Sequence, residues 1–95
     1  MKTYALIDNH SGFLWGVTDA VDAISACKQI DSEISPGWNF DYWETYSGGN
    51  WVYAVYQVDK GRYEDADGQD QGIIDEITAD TPAAYVGRDE IDETR

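Results

Sequence analysis

The sequence predicts an α+β domain: an antiparallel sheet of four or more strands with one packed helix, in the order β-β-α-β-β, followed by an acidic segment. Three observations predict it. Short runs of β-branched and aromatic residues are separated by Asn, Asp and Gly clusters; one alanine-rich stretch carries apolar residues three and four apart; and two aromatic runs flank Ser47-Gly48-Gly49-Asn50. A chain of 95 residues supports one such domain, expected over residues 1–87, with residues 88–95 as a frayed acidic tail.

The first strand is expected at residues 3–7, Thr-Tyr-Ala-Leu-Ile. A turn over Asp8-Asn9-His10-Ser11-Gly12 then leads to Phe13-Leu14-Trp15-Gly16-Val17, so the two runs read as a hairpin. A helix over residues 19–33 follows. Thr18 or Asp19 supplies its cap, and Asp22 falls in its first turn, where the helix dipole favours negative charge. Ala20, Ala23, Ile24, Cys27 and Ile30 form the apolar stripe, with burial expected at Ile24, Cys27 and Ile30. Ser35-Pro36-Gly37 ends the helix, because proline lacks the backbone donor and clashes with the preceding turn.

Residues 39–58 predict a second hairpin, since paired glycines supply the backbone freedom of a tight turn. If Tyr46 pairs with Trp51, then Glu44 faces Tyr53 and Tyr42 faces Val55. Both faces of that ribbon carry aromatic residues, so one is expected to receive the helix and the other to remain an acid-decorated aromatic surface. Beyond Asp59, twelve acids stand against four basic residues. Only Ile73, Ile74, Ile77 and the run Ala83-Ala84-Tyr85-Val86 can anchor that segment, which predicts a loop laid along an edge, a short helix near 71–79 and an edge strand near 83–87.

Charge excludes several functions. Asp and Glu total 19 against 6 Lys and Arg, for a net charge of −13, so phosphate backbones and anionic lipid headgroups are poor partners. A basic partner is favoured instead. Hydrophobic residues at 42% and aromatics at 14% provide too much apolar surface for a disordered acidic chain. The N-terminus reaches a charge at Asp8, too early for the apolar core of a secretion signal, and no apolar run is long enough to span a bilayer. One cysteine excludes an intramolecular disulfide framework and fits a reducing cytoplasm.

Candidate chemistry is sparse. His10 is the only histidine and lies among turn formers, and Cys27 lies on the apolar stripe, where a free thiol behaves as a small hydrophobe. Residues 65–76 invite a calcium-loop reading, yet Asp70 occupies the position where the loop's sharp turn requires glycine. No cofactor or metal is expected, and no enzymatic activity. Regularly spaced carboxylates on a rigid surface can imitate the phosphates of duplex DNA, with aromatics adding rigid contact area. The expected contacts are Asp41, Trp43, Glu44 and Tyr56 on the hairpin, then Asp59, Glu64, Asp65, Asp67, Asp70, Asp75 and Glu76. The competing reading is a soluble, halophilic-type or general acidic protein-binding domain, consistent with 13 Asp, 6 Glu and few lysines.

Thr3-Tyr4, Leu6-Ile7-Asp8, Val17 and Asp19-Ala20-Val21-Asp22 at the head of an alanine-rich helix resemble the small phage-encoded type I-E anti-CRISPR proteins. The resemblance covers roughly the first third of the chain and rests on short motifs. It implies a noncatalytic inhibitor, monomeric or a small homo-oligomer, acting in the cytoplasm of an infected bacterium. Its partner would be a basic nucleoprotein, a CRISPR surveillance complex or similar defence nuclease, whose DNA recognition it blocks.

Overall fold

The computed structural model describes residues 1–9, 12–33, 52–87 and 90–91, with only backbone for residues 31–33. Strand β1, Lys2–Asp8, turns through Gly12 into β2, Leu14–Ala20; helix α1 spans Ala23–Glu33, β3 spans Val52–Val58, helix α2 spans Gln71–Thr78, and β4 spans Ala84–Gly87. The strands form one antiparallel sheet in the order β2-β1-β3-β4. It is the predicted α+β class.

The first hairpin forms because the turn closes on itself: Gly12 donates to the Asp8 carbonyl at 2.9 Å with φ 77°, where a Cβ would be strained. Register shifts within it. Leu6 pairs with Gly16 and Ile7 with Leu14, so Trp15 is the extra residue of a bulge. The bulge keeps Trp15 on the α1 side of the sheet, where its Nε1 donates to Asp8 Oδ2 at 3.2 Å. Asp8 is only 1% exposed. A buried carboxylate needs such partners, because leaving a charged group without hydrogen bonds in an apolar interior costs several kcal/mol, roughly.

Strand β2 continues past the expected boundary, so Thr18 and Asp19 sit in the ladder, paired with Tyr4 and Thr3. Asp22 takes the capping role instead: its Oδ1 accepts from the Ser25 backbone N–H at 2.8 Å, which holds the carboxyl below its usual range. Cross-strand pairing captured two residues whose local preference was for a cap.

Two apolar clusters lie on opposite faces of the sheet. On the first face Tyr4, Leu6, Tyr53, Val55 and Val86 meet Ala26, Cys27 and Ile30 of α1, with Ile24 only partly buried at the margin. On the second face Ala5, Ile7, Leu14, Ala54 and Tyr56 meet Tyr63, Ile74 and Ile77. The acidic segment therefore packs on the second face, and the short helix expected near 71–79 forms there as a second packed helix, where the segment was expected to lie along an edge.

Strand β3 forms within its expected arm, but its pairing corrects the predicted hairpin. Tyr53 pairs with Asp8 and Val86, and Val55 with Leu6 and Ala84, so both flanks are occupied by β1 and β4 rather than by Glu44 and Tyr42. The other predicted arm, with its turn, lies outside the described residues. Of the expected tail only Glu90 and Ile91 are described; both are helical, and Ile91 belongs to the first-face cluster.

Burial of Cys27 agrees with its place on the apolar stripe, and it pushes the thiol up to about 12 from 9.0, with the Glu90 carboxylate adding to the shift. The folded state thus favours the neutral thiol. Its contribution to stability is complete below pH 9 and is lost as pH rises toward 12, because the unfolded thiol ionises first. Buried Tyr56 and Tyr63, both raised, add the same trend at higher pH. Iodoacetamide at pH 8 should leave Cys27 unmodified in the native protein and label it fully in urea. Native labelling at the unfolded rate would show that the site is open.

Candidate functional site

The second-face layer is built by a chain segment that turns its few apolar side chains inward. After β3, Arg62 N–H donates to the Asp59 carbonyl at 3.3 Å, with Gly61 at φ 79° in the turn. Tyr63 then drops into the cluster, and a further turn is closed by Ala66 N–H donating to the Tyr63 carbonyl at 3.1 Å. Gly68 brings the segment against β2: Leu14 N–H donates to its carbonyl at 3.0 Å, and a Cβ on Gly68 would lie 2.6 Å from the Leu14 carbonyl oxygen. Only glycine fits that approach without a backbone shift.

Asp67 and Asp70 organise the entry to α2. Asp67 Oδ1 accepts from Gln69 N–H at 2.8 Å, and Asp70 Oδ1 accepts from Ile73 N–H at 3.2 Å as the N-cap. Ile74 and Ile77 are then buried on the sheet, while Asp75 and Glu76 face outward. Glu76 joins helix to loop: Arg62 pairs with it and with Asp59 at 3.5 Å. Burial chiefly, and then the neighbouring Glu76 carboxylate, raise the Tyr63 phenol.

Seven predicted contacts thereby share one outer layer: Asp59, Glu64, Asp65, Asp67, Asp70, Asp75 and Glu76 are all exposed. The cations within it, Lys60 and Arg62, are engaged with Asp19, Asp59 and Glu76. Among the described residues those ion pairs leave out Glu64, Asp65, Asp67, Asp70 and Asp75, so the layer presents uncompensated negative charge. Its rim toward β1 and β2 is a shallow groove of about 300 Å³ lined by Thr3, Val17, Thr18, Asp19 and Glu64. Thr3 Oγ1 donates to Asp19 Oδ1 there at 2.5 Å; this bond, with Lys60, holds the Asp19 carboxyl below its ordinary range.

Tyr56 is corrected. At 8% exposure it lies under the acidic layer rather than on a surface, because its side of the sheet is covered by Tyr63 and α2. Asp41, Trp43 and Glu44 lie outside the described residues, as does His10. Among the described residues, no group of three or more His, Cys, Asp and Glu side chains could hold a metal ion, and no helix is long and apolar enough to cross a membrane. One exposed aromatic escaped the sequence reading, Tyr85 on β4. The alternation Ala84-Tyr85-Val86 shows that Tyr85 opposes its neighbours, but not which side is covered.

The arrangement defines a class: among the described residues, a four-stranded antiparallel α+β domain with α1 on one face, α2 on the other and an acid-bearing layer on one exterior. No protein-family model, curated protein or solved structure matches the chain.

Proposed function

We propose that this protein is a noncatalytic inhibitor of the anti-CRISPR kind, which binds a basic nucleic-acid-binding surface of a type I surveillance complex and competes with DNA. The observation that carries the reading is the outer layer over residues 59–76, where seven exposed carboxylates follow one another and both cations are tied to acids. Backbone capping and an ion-pair latch hold that layer on a packed face. Its charges are therefore presented by a fixed scaffold, as phosphates are along a duplex. The N-terminal resemblance supports the same reading and implies action in the cytoplasm of an infected bacterium.

Individual exposed carboxylates contribute little, since a surface ion pair is worth about 0–1 kcal/mol. Their sum accelerates association and weakens as salt screens it. The test combines Asp65→Asn, Asp67→Asn, Asp70→Asn and Asp75→Asn. Asparagine keeps an acceptor oxygen at the cap and turn, so α2 retains its start while four charges are removed. In competition with duplex DNA for a purified type I-E surveillance complex, the parent should displace DNA at low salt and less well at moderate salt. The variant should melt like the parent and lose affinity by about tenfold or more, as four exposed pairs predict. Salt-insensitive binding that survives all four changes would remove the mimicry mechanism. A melting curve against salt separates the competing reading, because a halophilic domain needs molar salt to fold whereas the inhibitor should be folded in dilute buffer.

A further inference from the structure

Burial removes Tyr4, Tyr53 and Tyr56 of the sheet, and Tyr63 after it, from any contact surface. Tyr85 is the exception: 59% exposed, it is one of three exposed large hydrophobic side chains among the described residues, with Met1 and Val21. Its position follows from the sheet. Among the described residues β4, four residues long, is an outer strand of the sheet in which Ala84 and Val86 face the α1 cluster, so Tyr85 takes the opposite side, in register with Ala54. There α2 covers Ala54 and Tyr56 but leaves Tyr85 open. Tyr85 is close enough to Tyr56 to contribute to the raised ionisation of that phenol. An exposed aromatic ring thus stands on the same side of the sheet as the acidic layer.

The protein already contains a small version of the contact such a surface could make. The Arg62 guanidinium carbon lies 5.3 Å from the Tyr63 ring centroid while its nitrogens pair with Asp59 and Glu76. A tyrosine ring with carboxylates nearby holds a guanidinium in that case. Arginine suits the arrangement better than lysine, because its planar, weakly hydrated head stacks on a ring while still donating to carboxylates.

We propose that Tyr85 is an arginine-binding contact of this exterior, stacking against a guanidinium of a basic protein partner while the carboxylates of the layer attract the partner's remaining cations. It rests on the reading of the partner as a basic protein, but its chemistry can be tested without the surveillance complex. The probes are nona-arginine and nona-lysine peptides, equal in length and charge, titrated calorimetrically at low salt. The parent should prefer arginine. Tyr85→Ala should melt like the parent, weaken the arginine peptide roughly two- to fivefold, as an exposed cation–π contact predicts, and leave the lysine peptide unchanged. Tyr85→Phe should keep the preference. No preference in the parent, or equal effects of Tyr85→Ala on both peptides, would overturn the assignment. Binding of the surveillance complex distinguishes the two proposals. If the parent fails to bind that complex while the Tyr85-dependent arginine preference holds, the inhibitor reading falls and the contact stands; competition with DNA but no Tyr85 dependence gives the reverse.

Discussion

Replacing Ile77 with aspartate should unfold the protein. Ile77 is 2% exposed, on the face of α2 that meets the sheet beside Ile74. The substitution removes an apolar side chain whose burial contributes roughly 1.5–3 kcal/mol. It also places a carboxylate in an apolar contact, at an effective penalty of several kcal/mol, roughly, after relaxation. A domain of this size has only about 5–15 kcal/mol of stability in total. The same change at Ile24, partly buried at the edge of the α1 cluster, should cost much less. Circular dichroism melting of both variants checks this directly. If the Ile77 variant melts within a few degrees of the parent, α2 is not part of the core, and the acidic layer has no fixed base.

Ile91→Ala should lower the melting temperature by about 10 °C or more. The side chain is 0% exposed and belongs to the first-face cluster with Cys27, Ile30 and Val86. Truncating a buried isoleucine to alanine costs about 2–5 kcal/mol, and each kcal/mol moves the midpoint of a domain this small by about 4–8 °C. A chain ending at Gly87 should be destabilised at least as much. The frayed-tail expectation predicts no change in either variant, so the two melts decide between the readings. The tail resembled solvent-exposed sequence because Ile91 is a lone apolar residue amid Asp89, Glu90, Asp92 and Glu93. A single buried contact leaves no periodic signal.

The acidic segment also shows how structural and binding roles can overlap. Asp67 and Asp70 shape the entry to α2, and Glu76 ties Arg62 to the helix. Alanine substitutions at these positions would combine loss of charge with loss of a turn, a cap or a latch. Amide substitutions at the two aspartates isolate the electrostatic contribution while retaining acceptor oxygens.

Local physical chemistry alone determined much of the fold. The turn at Gly12, the stripe of α1, the short helix near residue 71 and the late strand near residue 84 are each written in a few neighbouring residues. Turn glycines, apolar spacing and breakers act at short range, and those elements form where the sequence places them, except that α1 starts at Ala23 because β2 runs on through Ala20. The run of exposed acids after β3 was equally legible, because moving a charged carboxylate out of water is costly.

Tertiary structure alone decided which strands are neighbours and which face is covered. The glycine-rich turn at residues 47–50 favoured a local partner for β3, yet residues 53–55 are flanked by β1 and β4, drawn from opposite ends of the chain. The same competition placed Asp19 in a ladder and left capping to Asp22. Alternation with period two states that Tyr56 and Tyr85 each point to one side of a strand. It cannot state that α2 covers one and leaves the other exposed, because that depends on strand order and on a helix more than a dozen residues away from Tyr56 in sequence. Burial is a property of the assembled layers, whereas periodicity is a property of the single strand.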